Sequence, residues 1–244
     1  MKITVVIPTY NEAENIPKLF SDIFALPLPD LRVLVVDDNS PDGTGAMAES
    51  LSAQYNNRVE VLHRPGKAGL GRAYIAGFRH CLERGAEAIG QMDADFSHPI
   101  PKICELVAAL ENSDIAVGSR YVAGGSLDHN WPLWRKGLSA FGNFYARTIL
   151  HLTQRDVTGG FRLWRADVIR SLPLDRIRSN GYIFQVELAY LANRLGFVTS
   201  EVPIHFADRR WGKSKMNIRI QAEAAVRVWQ LAAQYNDLQK LKQN

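Results

Sequence analysis

The chain has 244 residues, 46% hydrophobic and 22% charged, and its 29 Lys+Arg against 25 Asp+Glu leave a formal charge of +4. That length suits one domain, or one domain with an appendage, and the composition excludes a disordered or collagen-like chain. So small a surplus does not argue nucleic-acid binding, which needs clustered charge, so where it sits matters more than its size.

Short, mostly β-branched runs at Ile3–Pro8, Arg32–Asp37, Arg58–Leu62, Ala88–Asp93 and Asp114–Ser119 predict strands. Helical periodicity fills the intervals near Glu12–Ala25, Gly43–Tyr55, Leu70–Arg84 and Pro101–Glu111. This alternation predicts an α/β fold, a mostly parallel sheet with helices on both faces. Residues 121–160 break the rhythm: Gly124-Gly125 marks a loop, and Trp131-Pro132 starts a helix expected to reach about His151. A strand pair near Phe161–Trp164 and Val198–Phe206 is expected to bracket a helix around Ile183–Leu195, and Asn217–Lys240 reads as one long helix.

Ligands of open parallel sheets bind at the carboxyl ends of the strands. Polar residues cluster there: Thr9-Tyr10-Asn11-Glu12, Asp37-Asp38-Asn39-Ser40, Asp93-Ala94-Asp95 and Ser119-Arg120. Strand alternation would turn Asp93 and Asp95 to one side, where two carboxylates repel unless a cation separates them. Mg²⁺ or Mn²⁺ bound by these acids and a substrate diphosphate meets that need. The competing account is acids near a helix start, ahead of Pro99. Asp37-Asp38 suits a nucleotide ribose or base, or the turn chemistry of the Asn39–Gly43 segment.

Other signatures are absent. The glycines of Gly66-Lys67-Ala68-Gly69-Leu70-Gly71 do not fit a dinucleotide fingerprint, and a glycine-rich approach to the helix at Leu70 is the simpler account. Six scattered histidines offer no metal pair, and no Gly-x-Ser-x-Gly elbow occurs. Cys81 and Cys104 cannot form a disulfide framework and read as reduced thiols. The N-terminus runs from Met1 directly into a strand pattern, without a signal segment. No run nears the roughly 18 uncharged apolar residues of a membrane span. A cytoplasmic protein is therefore expected.

These motifs together resemble the inverting family-2 glycosyltransferases of the GT-A fold, most of all the dolichyl-phosphate (polyprenyl-phosphate) mannose synthases. The resemblance runs from about residue 3 to 216. It is carried by Val6-Ile7-Pro8-Thr9-Tyr10-Asn11-Glu12, Val35-Val36-Asp37-Asp38-Asn39-Ser40-Pro41-Asp42-Gly43-Thr44, Met92-Asp93-Ala94-Asp95-Phe96-Ser97-His98-Pro99, Gly118-Ser119-Arg120-Tyr121, Thr158-Gly159-Gly160-Phe161-Arg162, and Arg209 with Gly212-Lys213-Ser214-Lys215. It implies a GT-A, Rossmann-like sheet over 1–216, with 121–151 as acceptor loop and interface helix and 217–244 as a C-terminal amphipathic helix. Pro8, Tyr10, Glu12, Val36 and Asp38 would meet the nucleotide base and ribose, and Asp93 and Ala94 would lie along the nucleotide. Asp93 and Asp95 would hold Mg²⁺ or Mn²⁺. Arg120, Arg135, Arg209 and Lys215 would form the phosphate-binding set at the reaction centre, with Asp95.

The implied reaction takes mannose from GDP-mannose to a polyprenyl phosphate. The alternatives are a UDP-sugar donor such as UDP-glucose, a sugar-hydroxyl acceptor, or a non-catalytic nucleotide-sugar-binding subunit. A lipid acceptor implies peripheral attachment to the cytoplasmic face of a membrane, with a small membrane-protein partner also compatible, and no nucleic acid. Aromatics of 131–151 and the apolar face of the last helix suit an interface, although a core-packed amphipathic helix is the commoner use of such a pattern. The charge is placed accordingly. Residues 201–244 carry eight basic and four acidic residues, and 120–165 carry seven and two.

Overall fold

A computed structural model describes residues 1–208 and 218–238, the side chains of 218–224 excepted. Among them, the chain forms strands β1 (Ile3–Thr9), β2 (Leu31–Asp37), β3 (Val59–His63), β4 (Ala88–Gln91), β5 (Ile115–Ser119), β6 (Ser126–Leu127), β7 (Arg162–Arg165), β8 (Thr199–Pro203) and β9 (His205–Phe206). The helices are α1 (Ile16–Phe24), α2 (Thr44–Leu51), α3 (Leu70–Glu83), α4 (Lys102–Ala109), α5 (Leu133–Leu150), α6 (Ala166–Ser171), α7 (Tyr182–Arg194) and α8 (Ile218–Gln234).

Seven strands form one sheet in the order β3-β2-β1-β4-β7-β5-β8, and β6 pairs with β9 apart from it. Alternation along the buried strands feeds two cores. Ile3, Val5 and Ile7 of β1 join Leu31, Val33 and Val35 of β2 beneath α1, α2 and α4. Val6, Leu34 and Val36 point the other way, into the core of α3, α6 and α7 with parts of α5 and α8. Helices thus cover both faces, as parallel strands buried on two sides require. The chain passes from β1 to β2 and β3 on one side, then crosses to β4 on the other. That reversal leaves a crevice at the carboxyl ends of β1 and β4, where such sheets bind ligands.

Several elements differ from the sequence reading. The expected pairing between the seventh strand and the region after Val198 does not form. Instead β7 inserts between β4 and β5, antiparallel to both, with Arg162 level with Gln91 and Val117. Helix α1 starts later than expected because the Asn11–Asn15 segment is drawn toward the β2 loop, where Glu12 N–H donates to Thr44 Oγ1 at 2.9 Å. The last helix ends at Gln234. There Arg194 Nη2 donates to the carbonyls of Tyr235, Asn236 and Leu238, holding the chain in a turn.

Helix α8 is anchored by Val228, Leu231 and Tyr235, each at most 3% exposed. Burying a side chain of this kind is worth about 1.5–3 kcal/mol. Tyr235 also donates to the fully buried Glu187 at 2.6 Å, and Ser179 N–H donates to the other carboxylate oxygen at 3.0 Å. Tyr235→Phe removes one donor from a buried charge. The substitution should lower unfolding free energy by about 1–3 kcal/mol in a urea titration, and an unchanged midpoint would show that the contact contributes nothing.

Candidate active site

The loops after β1 and β2 are tied together by short polar side chains. Asp37 accepts from Thr9 Oγ1 at 3.1 Å and from the Ser40 hydroxyl and main-chain N–H at 2.5 and 3.0 Å. Ser40 Oγ in turn accepts from Asn11 N–H, and Asp42 accepts from Ala13 N–H and from Thr44. Burial pushes the Asp42 carboxyl up, but the Thr44 hydroxyl and the N–H donors of Ala13 and Thr44 outweigh it and hold it below the usual range. Asn11 and Asn39, at φ 62° and 57°, take the left-handed conformation that asparagine tolerates and other side chains resist.

Asp38 is 6% exposed and forms an ion pair with Arg64, the residue just past β3. Burial raises its carboxyl above the usual value, partly offset by Arg64 and by Ala68 N–H. The Gly66–Gly69 turn therefore folds onto the same edge, and Lys67 Nζ sits 4.0 Å from the centroid of the Tyr10 ring. Tyr10, Pro8 and Glu12 are accessible around the crevice, whereas Val36 and Ala94 are buried beneath it, at 0% and 3% exposure. Arg64 was missed in the sequence, although the rule that found the other polar residues at strand ends applies to it equally.

The acidic pair does not continue the strand as expected. β4 ends at Gln91, and Asp93 N–H donates to His98 Nδ1 at 3.1 Å instead of to a neighbouring strand. Asp95, 6% exposed, accepts from Ser97 N–H at 3.0 Å, which closes a tight turn through Phe96 at φ 60°. The turn, rather than strand alternation, orients the two carboxylates. It also removes the helix-capping account, since the cap of α4 is Pro101. A side chain at positive φ costs free energy and persists where surrounding contacts impose it. Here these are the His98 ring stacked 5.0 Å from Phe161 and the Tyr74 hydroxyl, which donates to Asp93 at 3.3 Å. Burial, then Asp93 and Asp95, raise the Tyr74 phenol well above its ordinary value, keeping it protonated as a donor.

A divalent ion fits this turn. Among the described residues no cluster of three or more His, Cys, Asp or Glu could hold a metal alone. Mg²⁺-type sites instead use one or two carboxylates and complete the shell with substrate phosphates and water. The buried Ser97 hydroxyl, two residues beyond Asp95, has no hydrogen-bond partner among the described residues. His98 Nδ1 is already an acceptor for Asp93 N–H, so a donor set of acids and hydroxyl oxygens is what remains, the chemistry a hard cation takes.

The basic residues separate into different surroundings. Arg120 is held bidentately by Asp156, both contacts at 2.7 Å, and also donates to Thr158 Oγ1 at 2.7 Å. Asp156 is fully buried; burial favours its neutral form, but Arg120 outweighs this and lowers its carboxyl below the usual range. Glu201 carries the loop, accepting from Arg155 and Asp156 N–H at 2.7 and 2.9 Å. Beneath it Arg162, 1% exposed, donates to the carbonyls of Val157, Gly159 and Gln185. Desolvation lowers its guanidinium to about 10. Arg135, on α5, stacks 3.6 Å from the Trp131 ring and reaches Asp208 at 3.5 Å. Arg209 and Lys215 lie outside the described residues. Asp156 and Arg162 were not among the expected site residues: Arg162 closes the quoted Thr158–Arg162 motif but was given no role, and Asp156 lies in no quoted motif.

The seven-strand sheet with helices on both faces and the crevice at its reversal match the GT-A fold that the sequence resemblance implies. The chain belongs to glycosyl transferase family 2, whose model matches residues 4–172. It is 46% identical over 240 residues to an undecaprenyl-phosphate mannosyltransferase of Micrococcus luteus, covering 98% of each chain. It is 45% identical over 214 residues to a polyprenol monophosphomannose synthase of Mycolicibacterium smegmatis, covering 87% of this chain and 80% of that one. Among solved structures it is similar in fold to a mannosyltransferase of Pyrobaculum calidifontis in complex with GDP-Man and Mn²⁺, at TM-score 0.64 and 17% identity over 97% of this chain and 67% of that one. Mannosyl-3-phosphoglycerate synthase of Rubrobacter xylanophilus is likewise similar, at TM-score 0.67 and 17% identity over 100% and 77%.

Asp156→Asn tests the brace. It leaves the buried Arg120 charge uncompensated, a loss of about 3–5 kcal/mol at neutral pH. Because Asp156 is depressed in the folded state, its stabilisation is present above the ordinary carboxylate pKa and is lost as pH falls through the folded value. Denaturant titrations should therefore show the wild-type advantage shrinking below about pH 4, and an advantage independent of pH would exclude the ionised pair.

Proposed function

We propose that the chain transfers mannose from GDP-mannose to a polyprenyl (dolichyl-type) monophosphate, with inversion at the anomeric carbon, giving polyprenyl-phosphate mannose and GDP. The observation that carries this reading is the near-full-length likeness to two polyprenyl-phosphate mannosyltransferases. Residues 1–216 would form the transferase, with 121–151 as acceptor loop and interface helix, and 217–244 would be the C-terminal segment that carries the amphipathic α8.

Pro8, Tyr10, Glu12, Val36 and Asp38 are assigned to base and ribose, and Asp93 and Ala94 to the nucleotide beside them. Val36 and Ala94 have buried side chains, so they would act through the main chain or by shaping the floor. Asp93 and Asp95 would hold Mg²⁺ or Mn²⁺. When bound, that ion stabilises the departing nucleoside diphosphate. An acceptor monophosphate has a second pKa of about 6 by analogy with phosphorylated side chains, so at neutral pH it is largely a dianion. Such a nucleophile needs no protein base. What it needs is screening from the donor's diphosphate, and Arg120, Arg135, Arg209 and Lys215 are assigned to supply it. Arg120, drawn onto Asp156, contributes less net charge than Arg135, whose contact with Asp208 is longer and more exposed.

The acceptor's tail places the enzyme at a membrane. Among the described residues no helix is long and apolar enough to cross one. α5, about 27 Å long at 1.5 Å per residue, instead exposes Leu133, Trp134, Phe141 and Phe144 by 62–85%. Trp229 of α8 adjoins it through a 3.0 Å bond to the Tyr145 hydroxyl and is itself 61% exposed. An apolar face of this kind suits peripheral attachment at the cytoplasmic leaflet, alone or beside a small membrane protein.

A donor panel tests the reading: labelled GDP-mannose and UDP-glucose, each with polyprenyl phosphate and Mg²⁺ or Mn²⁺. Lipid-extractable label should come from GDP-mannose, and label from UDP-glucose alone would overturn the donor. Asp95→Ala should reduce turnover by at least about 100-fold, the scale on which a metal-orienting or charge-stabilising group is felt, with folding unchanged by circular dichroism.

A further inference from the structure

A cavity of about 390 Å³ lies beside α5, lined by Tyr121, Ala140, Asn143, Phe144, Arg147 and Arg155, none of them a residue of the acidic turn. We propose that this cleft binds the phosphate of an anionic bilayer phospholipid, as a headgroup site separate from the catalytic crevice; it rests on the membrane attachment proposed above.

Charge is the first argument. Two arginines line one small cavity, and among the described residues neither side chain is paired with a carboxylate. Glu201, the nearby acid, is engaged by the main-chain N–H groups of Arg155 and Asp156. The head of Arg147 makes one long contact, from Nη2 to the Thr153 carbonyl at 3.5 Å, and its Nε is buried with no partner among the described residues. Leaving a cationic head so poorly partnered is costly, and a phosphate oxygen meeting the Nη groups of the same guanidinium would offset that cost. A basic residue in the last turn of a helix also complements the helix dipole, which accounts for Arg147. It does not account for Arg155, which lies beyond the helix and borders the same cleft.

Geometry is the second. The wall of the cleft is rigid: Asn143 accepts from Val157 N–H at 2.8 Å and donates to the Arg155 carbonyl, fixing the Arg155 main chain against α5. Tyr121, also in the lining, is held against α5 by its hydroxyl contact with Ser139 at 2.8 Å. Phe144 both lines the cleft and belongs to the exposed apolar stripe of α5. A ligand whose phosphate enters the cleft would therefore lay its remaining bulk along Phe144 and Phe141. That is the shape of a lipid, with charge and apolar chain side by side, whereas a soluble anion would have no use for the stripe.

The full-length chain can be tested by flotation with vesicles of pure phosphatidylcholine and of phosphatidylcholine with 30 mol% phosphatidylglycerol, a composition of roughly the charge density that makes polybasic contacts measurable. Each Arg near such a surface strengthens binding about fivefold and two together about thirtyfold. Arg147→Gln/Arg155→Gln should lose that anionic increment and keep the wild-type affinity for neutral vesicles; Arg155→Gln, at an exposed position, should lose about fivefold on the same scale. Mannosyl transfer to a detergent-dispersed acceptor should be unchanged in both variants. Anionic-vesicle binding by the variants equal to wild type would overturn the headgroup site alone. A raised acceptor KM in detergent would give the cleft to the acceptor's own phosphate, and protection of Arg155 from phenylglyoxal by millimolar inorganic phosphate without vesicles would give it to a soluble anion; either contradicts the proposal. Failure of the membrane reading looks different: the wild type would bind neither vesicle, and Trp134→Ser/Phe141→Ser would change nothing.

Discussion

Asp37, Asp38, Asp93 and Asp95 emerge at one edge of the sheet, and the need to hold these acids close together without mutual repulsion shapes what surrounds them. Each is handled by a different donor. Asp37 accepts from the hydroxyls of Thr9 and Ser40, Asp38 pairs with Arg64, Asp93 takes the Tyr74 hydroxyl, and Asp95 takes Ser97 N–H. The first two arrangements stitch the loops after β1, β2 and β3 into one rim. The last two stand in a turn whose hydroxyl and carboxylate oxygens suit a hard cation. Carboxylates gathered at the strand ends would complement a divalent cation, which the diphosphate of the proposed donor would share.

The opposite charge is arranged by different means. Arg162 and Arg120 are buried and spent on carbonyls and on Asp156, so they stiffen the loop between α5 and β7 and hold its position against β5. Arg135 remains closer to solvent. The net +5 of residues 120–165 is thus divided between an internal brace and an accessible surface. The same stretch carries the exposed aromatic stripe of α5, which places cations and apolar surface side by side, as an enzyme with a lipid-phosphate substrate requires.

Much of this was legible in the sequence, because β1 and β2 are rich in Val and Ile and polar clusters follow β1, β2, β4 and β5, and that pattern survives without tertiary context. The limits of α3 and α5 were read within two residues for the same reason. The strand expected at Phe161–Trp164 forms as β7, but its place between β4 and β5 was not foreseen, because nothing within Arg162-Leu163-Trp164-Arg165 specifies which strands it pairs with. The carbonyls of Val157, Gly159 and Gln185 and the nearby Asp156 carboxylate make burial of Arg162 tolerable, and they are distant in sequence or in loops. α6, six residues long, is too short for its period to register. The geometry of the acidic turn was misjudged because it depends on His98 capturing Asp93 N–H, a contact that diverts the chain from the strand. The Asp156 brace left no local trace at all.

The central claim is that the Asp93–Asp95 turn holds the divalent ion that meets the donor's diphosphate. Crystals grown with GDP and Mn²⁺ test it through anomalous diffraction at the manganese edge. The account predicts a peak within coordination distance of an Asp95 carboxylate oxygen and of the diphosphate, lost in Asp95→Ala. A peak elsewhere, or GDP bound in the crevice with no ion between it and the turn, would contradict it.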